Sequence, residues 1–337
     1  MDPVHALKQI ALYLERAGEP THKVQAFRRA AAVVSGLPPG ELEQRLRVGT
    51  LTALPGIGKT TGNVIIEAAG GAEPGYLTEL RGRAAKPLAD ARGGEALLAA
   101  LRGDCHTHSD WSDGGSPIDE MAEAAVVLGH EWMVLTDHSP RLTVANGLSA
   151  ERLRRQIEVV AELNVELAPF RILTGIEVDI LSDGALDQEP ELLSALDVVV
   201  ASVHSELRMP GPEMTERMLT AIRNPHTDVL GHCTGRKVAG RPRPESAFDA
   251  EAVFTACRDN GVAVEINSRP DRLDPPRPLL RMAVELGCIF AIDSDAHAPG
   301  QLYWQAYGCA RAEECGVTAG RVINTGSLDD ILAWVRA

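Results

Sequence analysis

The sequence predicts an α/β protein in which a (β/α)7 TIM-like barrel follows a small all-α domain. Three features of the chain indicate this. It has 337 residues, more than a single domain usually contains. Its first hundred residues read as short helices separated by Gly and Pro. After residue 102, short runs rich in Val and Ile alternate with helical stretches, which is the pattern of a parallel sheet with helical crossovers.

The first part of the chain carries ordinary helix signals. Asp2 is a capping residue placed before apolar residues at helical spacing, and Gly18 fits the end of that helix. Further helices are expected at 24–34, at 41–48, and after the segment 54–60 as far as residue 69. We place the all-α domain at 1–90, a linker at 91–101 and the barrel at 102–337.

Seven short apolar runs are the predicted strands of the barrel. They lie near 103–108, 132–137, 171–180, 197–203, 228–232, 262–267 and 288–294. The helices expected between them lie at 118–128, 150–167, 214–222, 247–260 and 278–286. Parallel strands with right-handed crossovers, closed into a ring, give a TIM-like barrel with one strand fewer than the standard eight.

Composition argues against several classes of protein. No apolar run approaches the roughly 20 residues of a membrane helix, and the first residues do not resemble a signal peptide. The six cysteines are scattered without a Cys-x-x-Cys pair, so we expect no disulfide framework and a cytoplasmic location. The net charge of −14 comprises +2 in residues 1–100 and −16 in the remainder, so the acidity does not argue against a nucleic-acid partner for the first part.

Six of the ten histidines lie at or just past the ends of predicted strands, together with three carboxylates. Residues i and i+2 of a strand face the same side, so His106 and His108 can share one centre. The C-terminal ends of barrel strands meet at one mouth, where such folds place their active sites. Nitrogen and oxygen donors from so many strands indicate a site for several cations. The nine candidate ligands are His106, His108, Asp113, His138, Glu177, His204, His232, Asp295 and His297.

Other polar residues near the strand ends have two interpretations. Asp137, Asp179 and Asp293 either orient imidazoles or cap the ends of strands. Four arginines that follow strand ends are candidates for phosphate binding, because a guanidinium can hold phosphate oxygens bidentately; the alternative is that they are solvated loop residues. They are Arg208, Arg236, Arg269 and Arg272.

The strand-end motifs resemble those of the PHP family, which is named for its polymerase and histidinol-phosphatase members. They are His106-Thr107-His108-Ser109, Ser112-Asp113-Gly114, Thr136-Asp137-His138-Ser139, Gly175-Ile176-Glu177, Ser202-Val203-His204-Ser205, Gly231-His232-Cys233-Thr234-Gly235-Arg236 and Ser294-Asp295-Ala296-His297. The resemblance covers about residues 103–337. It implies a distorted (β/α)7 barrel that hydrolyses phosphoric esters through a trinuclear metal centre, and the family's ligand positions map onto the nine residues above.

The implied cofactors are three divalent metal ions, for which Zn, Mn and Fe suit the mixed donors equally. Clustered cations neutralise phosphoryl oxygens, lower the pKa of bound water toward about 7 and hold the in-line geometry. In this hypothesis a metal-bound hydroxide attacks phosphorus. Glu177 bridges two of the ions, and Asp113, His204 and Asp295 complete the catalytic set.

The first part of the chain resembles the N-terminal helical region of bacterial family X DNA polymerases. The matching residues are Lys23-Val24-Gln25-Ala26-Phe27-Arg28-Arg29-Ala30 and Leu54-Pro55-Gly56-Ile57-Gly58-Lys59, the latter a helix-hairpin-helix motif in that family. Those polymerases have a palm between this region and the barrel. Here only a short linker separates the two parts, so the palm is absent and we expect no polymerase activity.

The glycine-rich segment has its own alternatives. A P-loop requires Gly at position 53, which is Ala53. We interpret the segment as a turn whose backbone N–H groups face a nucleic-acid phosphate at a helix N-terminus, the alternative being a plain helix–helix turn. The candidate DNA-contacting residues are Gly56, Gly58, Lys59, Arg28 and Arg29.

Three functions are compatible with this sequence. The first is a DNA-processing enzyme, a 3′-5′ exonuclease or a repair enzyme acting on 3′ ends or abasic sites, to which the helical domain brings DNA. The second is a small-molecule phosphatase of the histidinol-phosphate type, which leaves the helical domain unexplained. The third is a DNA-binding protein with structural metals, although structural sites rarely need nine ligands.

Overall fold

The structure, a computed structural model, describes residues 1–84 and 86–335, which fold as two compact units. One unit comprises Met1–Leu88 with the segment Ala298–Gln301, and the other begins at Ala89. Within the described part of the chain, no helix is both long and apolar enough to cross a membrane.

The first unit is all helical. Its helices are α1 (Pro3–Arg16), α2 (Thr21–Ser35), α3 (Glu41–Val48), α4 (Lys59–Ala69) and α5 (Gly75–Ala84). The predicted cap is confirmed, since the Asp2 carboxylate accepts the His5 backbone N–H at 2.6 Å. Apolar residues at helical spacing, such as Leu7, Ile10 and Leu14 of α1, face one shared core and are fully buried.

The second unit is built on seven strands. They are β1 (Gly103–Thr107), β2 (Trp132–Leu135), β3 (Arg171–Asp179), β4 (Val198–Ser202), β5 (Val229–Leu230), β6 (Ala263–Asn267) and β7 (Phe290–Asp293). Each strand pairs in parallel with the next one along the chain. The ring approaches closure where Thr107 bridges to Ala296 and His108 N–H donates to the Ala296 carbonyl at 2.8 Å. The predicted seven-stranded barrel is therefore confirmed.

Helices cover the outside of the sheet. They are α6 (Glu95–Ala100), α7 (Ile118–Val127), α8 (Ala150–Glu166), α9 (Pro190–Leu193), α10 (Gly211–Ile222), α11 (Ala250–Asp259), α12 (Arg277–Leu286), α13 (Gln305–Glu314) and α14 (Leu328–Trp334). Because helices cover the sheet, its strands are buried along their length, and all five residues of β4 are buried. This accounts for the continuous Val and Ile runs in the sequence.

The strands are shorter than predicted, and the reason bears on the site. The run 228–232 contributes only two paired residues to β5, and the run 132–137 only four to β2. In both cases the paired ladder ends before the histidine that follows it, His232 or His138. Beyond the ladder, these polar residues keep only isolated contacts with the sheet, such as the bridge of His138 to Glu177, and their side chains reach the mouth beside those of His106 and Glu177, which lie within β1 and β3.

Five helices were not predicted from the sequence: α5, α6, α9, α13 and α14. Three of them, α6, α9 and α14, have seven residues or fewer, too few for helical periodicity to show. In the expected linker, Gly94 precedes α6 with a φ of +80°, and a Cβ placed there would lie 2.4 Å from the carbonyl carbon of Cys309 in α13. Part of the expected linker therefore packs as a helix of the barrel unit.

Candidate metal centre

The carboxylate of Glu177 on β3 lies among five imidazoles at the mouth of the barrel. The distances from its oxygens are 2.8 Å (His138 Nδ1), 3.1 Å (His204 Nε2), 3.3 Å (His106 Nε2), 3.5 Å (His232 Nε2) and 3.6 Å (His108 Nε2). These imidazoles come from four different strand ends, β1, β2, β4 and β5. The ordered barrel thus gathers residues that are distant in sequence around one carboxylate.

Two further carboxylates extend the cluster. Asp113 Oδ1, in the loop after β1, lies 3.3 Å from His297 Nε2 and 3.5 Å from His138 Nε2. Asp295 Oδ1, just past β7, lies 3.5 Å from His108 Nε2. All nine residues selected from the sequence therefore lie together at one end of the barrel.

The donor atoms form four overlapping groups of suitable size for a metal ion, and within each group they all lie within 4.8 Å of one another. The groups are His108–Asp113–His138–His297, His106–Glu177–His232, His106–His108–Asp295 and His138–Glu177–His204. Glu177 belongs to two groups, as a carboxylate that bridges two cations would. A cluster of this kind can bind metal ions.

Unsatisfied donor atoms provide a test of whether this cluster fits metal ions. Buried atoms in it lack a hydrogen-bond partner among the described residues: Nε2 of His106, both ring nitrogens of His108, Nδ1 of His138 and Oε1 of Glu177. A buried polar atom without a partner is costly unless something else satisfies it. Imidazole nitrogens and carboxylate oxygens are ordinary donors to divalent transition metals, so the residues present fit such ions.

The charges in the cluster are strongly coupled. Burial alone would raise the pKa of Glu177, but the attraction of His204 and His106 outweighs it and holds that pKa well below its usual range. Burial and the neighbouring His297 and His138 lower the pKa of His108 well below the usual value. Glu177 is therefore ionised and His108 neutral near pH 7, as metal ligands must be. Although burial opposes it, the attraction of Glu177 raises the pKa of His106 well above the usual value and that of His204 to about 9, so these two imidazoles must release a proton when a metal binds.

Additional carboxylates hold the imidazoles in place. Glu265 on β6 accepts from His106 Nδ1 at 2.6 Å, from the backbone N–H of His232, and lies 3.2 Å from His232 Nδ1. Asp179 contacts Nδ1 of His204. When Nδ1 donates to a carboxylate, the other ring nitrogen faces the centre with its lone pair. Asp179 is one of the three aspartates predicted either to orient imidazoles or to cap strands. Glu265 was not predicted, although a carboxylate within a buried apolar strand was a signal for it.

Asp137 and Asp293 accept hydrogen bonds from neighbouring backbone and side-chain groups rather than from an imidazole. Asp137 accepts hydrogen bonds from the backbone N–H of Ser109 and from the hydroxyls of Ser109 and Ser112, at 2.5–2.8 Å, and from Gln156 at 2.6 Å. Asp293 accepts the backbone N–H of Cys105 at 2.9 Å. Asp137 thereby fixes the loop that carries Asp113.

Asp295 adopts a strained backbone conformation. Its φ is +51°, in the left-handed region that residues other than Gly and Asn rarely adopt. The Asn267 amide donates to Asp295 Oδ2 at 2.9 Å, and Arg269 Nη1 lies 3.3 Å from Oδ1. Such strain costs about 1–3 kcal/mol and typically occurs at functional sites.

The four candidate phosphate-binding arginines have different surroundings. Arg269 donates to Asp295 and contacts His297 Nδ1 at 2.9 Å, and Arg272 Nε lies 3.4 Å from Asp295 Oδ2. The buried Nε and Nη1 of Arg272 lack a hydrogen-bond partner among the described residues. Arg236 instead donates to the carbonyls of Arg272 and Leu273, and Arg208 is exposed on the loop after β4. Two of the four therefore lie at the metal centre.

In the helical unit, the glycine-rich segment forms a tight turn before α4. Gly56 has a φ of +92°, and Ile57 points into the core while Gly56, Gly58 and Lys59 are exposed. Arg29 of α2 is exposed as well. Arg28 is placed differently: its Nε and Nη2 donate to the buried Glu15 at 2.8 and 2.7 Å, so it joins α2 to α1.

Comparison with known proteins agrees with this architecture. Residues 104–269 match the model of the PHP domain. A protein of Thermoanaerobacter sp. (strain X514) named "Probable phosphatase" is 30% identical over 237 residues, which cover 66% of this chain and 89% of that protein. The chain belongs to the PHP family. It is thus a PHP-domain phosphoesterase, a hydrolase acting on phosphate esters as the resemblance implied.

The helical unit has its own match, since residues 1–70 fit the model of a helix-hairpin-helix domain. The "DNA polymerase/3′-5′ exonuclease PolX" of Bacillus subtilis (strain 168) is 40% identical to this chain over 239 residues. These cover 71% of this chain but only 42% of that polymerase. Among solved structures, histidinol phosphate phosphatase from Lactococcus lactis, crystallised with zinc, L-histidinol and phosphate, covers 65% of this chain and 95% of its own, at 17% identity and a TM-score of 0.48.

Proposed function

We propose that this protein is a metal-dependent DNA phosphodiesterase that removes nucleotides or blocking groups from DNA 3′ ends. The observation that carries the proposal is the convergence of nine nitrogen- and oxygen-donor residues, Glu177 among them, at the mouth of the barrel, in a chain that also contains a helix-hairpin-helix domain. The first feature supplies phosphoester chemistry. The second favours DNA over a small substrate.

Three divalent ions, of Zn, Mn or Fe, would be held by His106, His108, Asp113, His138, Glu177, His204, His232, Asp295 and His297. When bound, such ions neutralise the phosphoryl oxygens and activate a water molecule for attack on phosphorus. Glu177 would join neighbouring ions, because of the three carboxylates it is the one that belongs to two of the donor groups.

The remaining side chains orient the centre and the substrate. Glu265 and Asp179 fix the ring orientations of three imidazoles. Arg272 forms an ion pair with Asp295 through Nε, and its buried Nη1 has no hydrogen-bond partner among the described residues, so this donor suits a non-bridging oxygen of a phosphate. Arg269 holds Asp295 and His297 and so acts through them.

The turn before α4 supports DNA as the substrate. Its exposed backbone at Gly56 and Gly58 precedes an eleven-residue helix, so the positive end of the helix dipole lies there, while the Gly58 N–H itself donates to Thr61 Oγ1 at 2.9 Å. Lys59 adds a cation at the first helical position. The similarity to a Bacillus subtilis protein named as a 3′-5′ exonuclease also supports DNA as the substrate.

A small-molecule phosphatase of the histidinol-phosphate type is the second candidate. The observation that favours it is the extent of the match to the Thermoanaerobacter protein, which covers 89% of that protein's length. That protein is named as a phosphatase. In this alternative the helix-hairpin-helix domain has no part in catalysis.

The test compares two charge reversals in the full chain. Lys59→Glu alters the proposed DNA-binding turn, whereas Lys86→Glu makes the same change at an exposed lysine after α5. Both variants and the parent are supplied with Mn or Zn and assayed on 3′-labelled single-stranded and gapped DNA, on histidinol phosphate and on an aryl phosphate.

We expect Lys59→Glu to reduce kcat/KM on DNA about tenfold, mainly through KM, and to leave aryl-phosphate hydrolysis unchanged. Lys86→Glu should behave like the parent. If the parent hydrolyses histidinol phosphate and the aryl ester but none of the DNA substrates, the phosphatase alternative replaces the proposal.

A further inference from the structure

The loops around the mouth of the barrel differ in charge from one side to the other. The loops after β1, β2 and β3 contain six Asp or Glu and one Arg. The loops after β4, β5 and β6 contain seven Lys or Arg and five Asp or Glu. Although the net charge of the chain is −14, the loops after β4, β5 and β6 are net positive, so this side of the mouth would attract a polyanion.

Most of this positive charge lies in one hairpin after β5, residues 235–244, which we call the basic hairpin. Lys237 and Arg243 pair across it in antiparallel fashion, with N···O distances of 2.9 and 3.0 Å in the two directions. Arg241 lies near the exposed tip. Four basic residues within eight positions, and no acidic residue among them, make this segment unlike any other of the barrel.

The basic hairpin is attached to the loop that reaches the metal centre. Val238 N–H donates to the Asp271 carbonyl at 2.7 Å, and Lys237 Nζ lies 3.4 Å from the Asp271 carboxylate. The same loop after β6 carries Arg269 and Arg272, which contact Asp295. Positive side chains therefore follow one another from the metal ligands outward to the tip of the basic hairpin.

Two exposed arginines of these loops make no contact with the described residues that would stabilise the fold. Arg241 and Arg208 are exposed, and within residues 1–84 and 86–335 neither has a hydrogen-bond or ion-pair partner. Arg208 follows Leu207, whose carbonyl accepts from Ser246 at 2.9 Å at the base of the basic hairpin. A depression of about 460 Å³ lies on the basic hairpin itself, lined by Arg236, Val238, Arg243, Pro244 and the adjoining Glu245.

We propose that the basic hairpin and the neighbouring Arg208 bind the phosphodiester backbone of a single-stranded DNA segment that extends from the metal centre over the loops after β4, β5 and β6. This inference rests on the proposed action on DNA and adds the direction in which the strand leaves the site. Phosphates spaced along a strand match a row of guanidinium and ammonium groups. A small phosphate ester would occupy only the metal centre and would not reach Arg241.

The test uses single-stranded oligonucleotides of increasing length and an aryl phosphate as the small ester. Arg241→Glu is compared, in the full chain, with Arg155→Glu, because Arg155 is an exposed arginine of α8 that likewise has no partner among the described residues. We expect Arg241→Glu to reduce kcat/KM about tenfold for oligonucleotides long enough to reach the basic hairpin. Its kcat/KM on dinucleotides and on the aryl phosphate should equal that of the parent, and Arg155→Glu should leave all substrates unaffected.

Two further measurements locate the contact. The slope of log kcat/KM against log salt for long oligonucleotides should be less steep in Arg241→Glu, by about 0.7 for each lost contact to a single strand. A neutral methylphosphonate, moved one position at a time along the oligonucleotide, should slow the parent at a position where it has no additional effect on Arg241→Glu.

The outcomes separate the two proposals. If the parent degrades DNA and Arg241→Glu does so equally well at every length, the strand leaves the site by another route and this inference is wrong, while the proposed function stands. If Arg155→Glu and Arg241→Glu reduce activity equally, only the overall charge matters, which also overturns the inference. If the parent degrades no oligonucleotide, the proposed function is wrong and the inference is lost with it.

Discussion

At the scale of single residues, the centre depends on groups that would not bind the metal themselves. Glu265 is fully buried and accepts hydrogen bonds from both His106 and His232. Burial raises the pKa of this carboxyl, but His106 more than offsets that, so its pKa lies below the usual value and it is ionised at neutral pH. Its charge and two acceptor oxygens therefore orient two candidate ligands at once.

Replacing Glu265 with Gln should weaken metal binding without removing a ligand. Glutamine has one acceptor oxygen for two donors and lacks the charge that favours the correct tautomers. We expect metal affinity to fall about 10- to 100-fold, the range for partners of this kind. The measurement is metal retained per chain after dialysis against graded chelator. Glu285→Gln, at an exposed position of α12, is the control, and equal retention in both variants would assign Glu265 to barrel stability alone.

Asp228 links stability to pH at a distance from the metal ligands. Its carboxylate accepts the Val199 N–H at 2.7 Å, and burial raises its pKa from 3.8 to about 7. The folded protein thus holds a proton that the unfolded chain releases near pH 4. The stabilisation from this group is complete below that pH and is lost as the pH rises through 7.

Asp228→Asn should therefore melt at a higher temperature than the parent at pH 8 and at about the same temperature near pH 4. Asparagine keeps a carbonyl acceptor for Val199 N–H and never ionises. We expect a difference of a few degrees at pH 8, since about 1 kcal/mol shifts Tm by roughly 2–4 °C in proteins of 150–250 residues. Calorimetry at both pH values is the measurement. Asp259→Asn, on the surface, should show no such trend.

At the scale of elements, the loops after the strands place the ligands, and each has its own support. The loop after β1 carries Asp113 and is held by Asp137 from the end of β2 through Ser109 and Ser112. Gly114 lies in its tightest part, where a Cβ would come within 2.5 Å of the Ser109 carbonyl oxygen. The position of Asp113 thus depends on the hydrogen bonds to the Asp137 carboxylate and on a glycine at position 114.

Asp137→Ala should release this loop and affect one part of the centre selectively. The donor group formed by His108, Asp113, His138 and His297 is expected to lose its metal first. We predict about one fewer tightly held ion per chain, by elemental analysis after mild chelation, with the others retained. Asp110→Ala changes an exposed carboxylate of the same loop and should keep the full complement. Loss of all ions together in Asp137→Ala would contradict a loop-specific role.

In the molecule as a whole, the mouth of the barrel unit contains buried polar atoms that lack hydrogen-bond partners within the described part of the chain. Nε2 of His106, both ring nitrogens of His108, Nδ1 of His138 and Oε1 of Glu177 are buried and have no hydrogen-bond partner among the described residues. Their desolvation opposes folding unless cations compensate for it. Metal binding should consequently contribute to the stability of the fold as well as to catalysis.

Complete chelation should abolish hydrolysis and lower the melting temperature, and added Zn or Mn should restore both. A ligand that binds only the folded state stabilises it by about 2.7 kcal/mol at a free concentration one hundred times its Kd. Tm should therefore rise steadily with metal concentration in the parent. In Glu177→Gln the rise should be much smaller, because the carboxylate that joins two donor groups is lost. If the Tm of the parent does not change with metal concentration, metal binding does not stabilise the fold and this prediction is wrong.

The sequence by itself determined the order of the elements and the residues that could meet. Period-two and helical spacing are local properties, so seven parallel strands and the helices between them could be predicted, and with them the polar residues at the strand ends, such as the pair His106 and His108. The resemblance to the PHP family rested on the same local motifs. The ends of the strands were less well predicted, because residues such as His232 leave the ladder in response to distant neighbours.

Only the tertiary structure decided what each polar residue contacts. Glu265 meets His106 across 159 residues, and Arg28 pairs with Glu15 rather than facing solvent. The four strand-end arginines look alike in sequence, yet Arg272 reaches the metal centre and Arg236 binds loop carbonyls. The physical reason is that hydrogen bonds and ion pairs depend on the positions of atoms brought together by the closed barrel, and no local pattern carries that information.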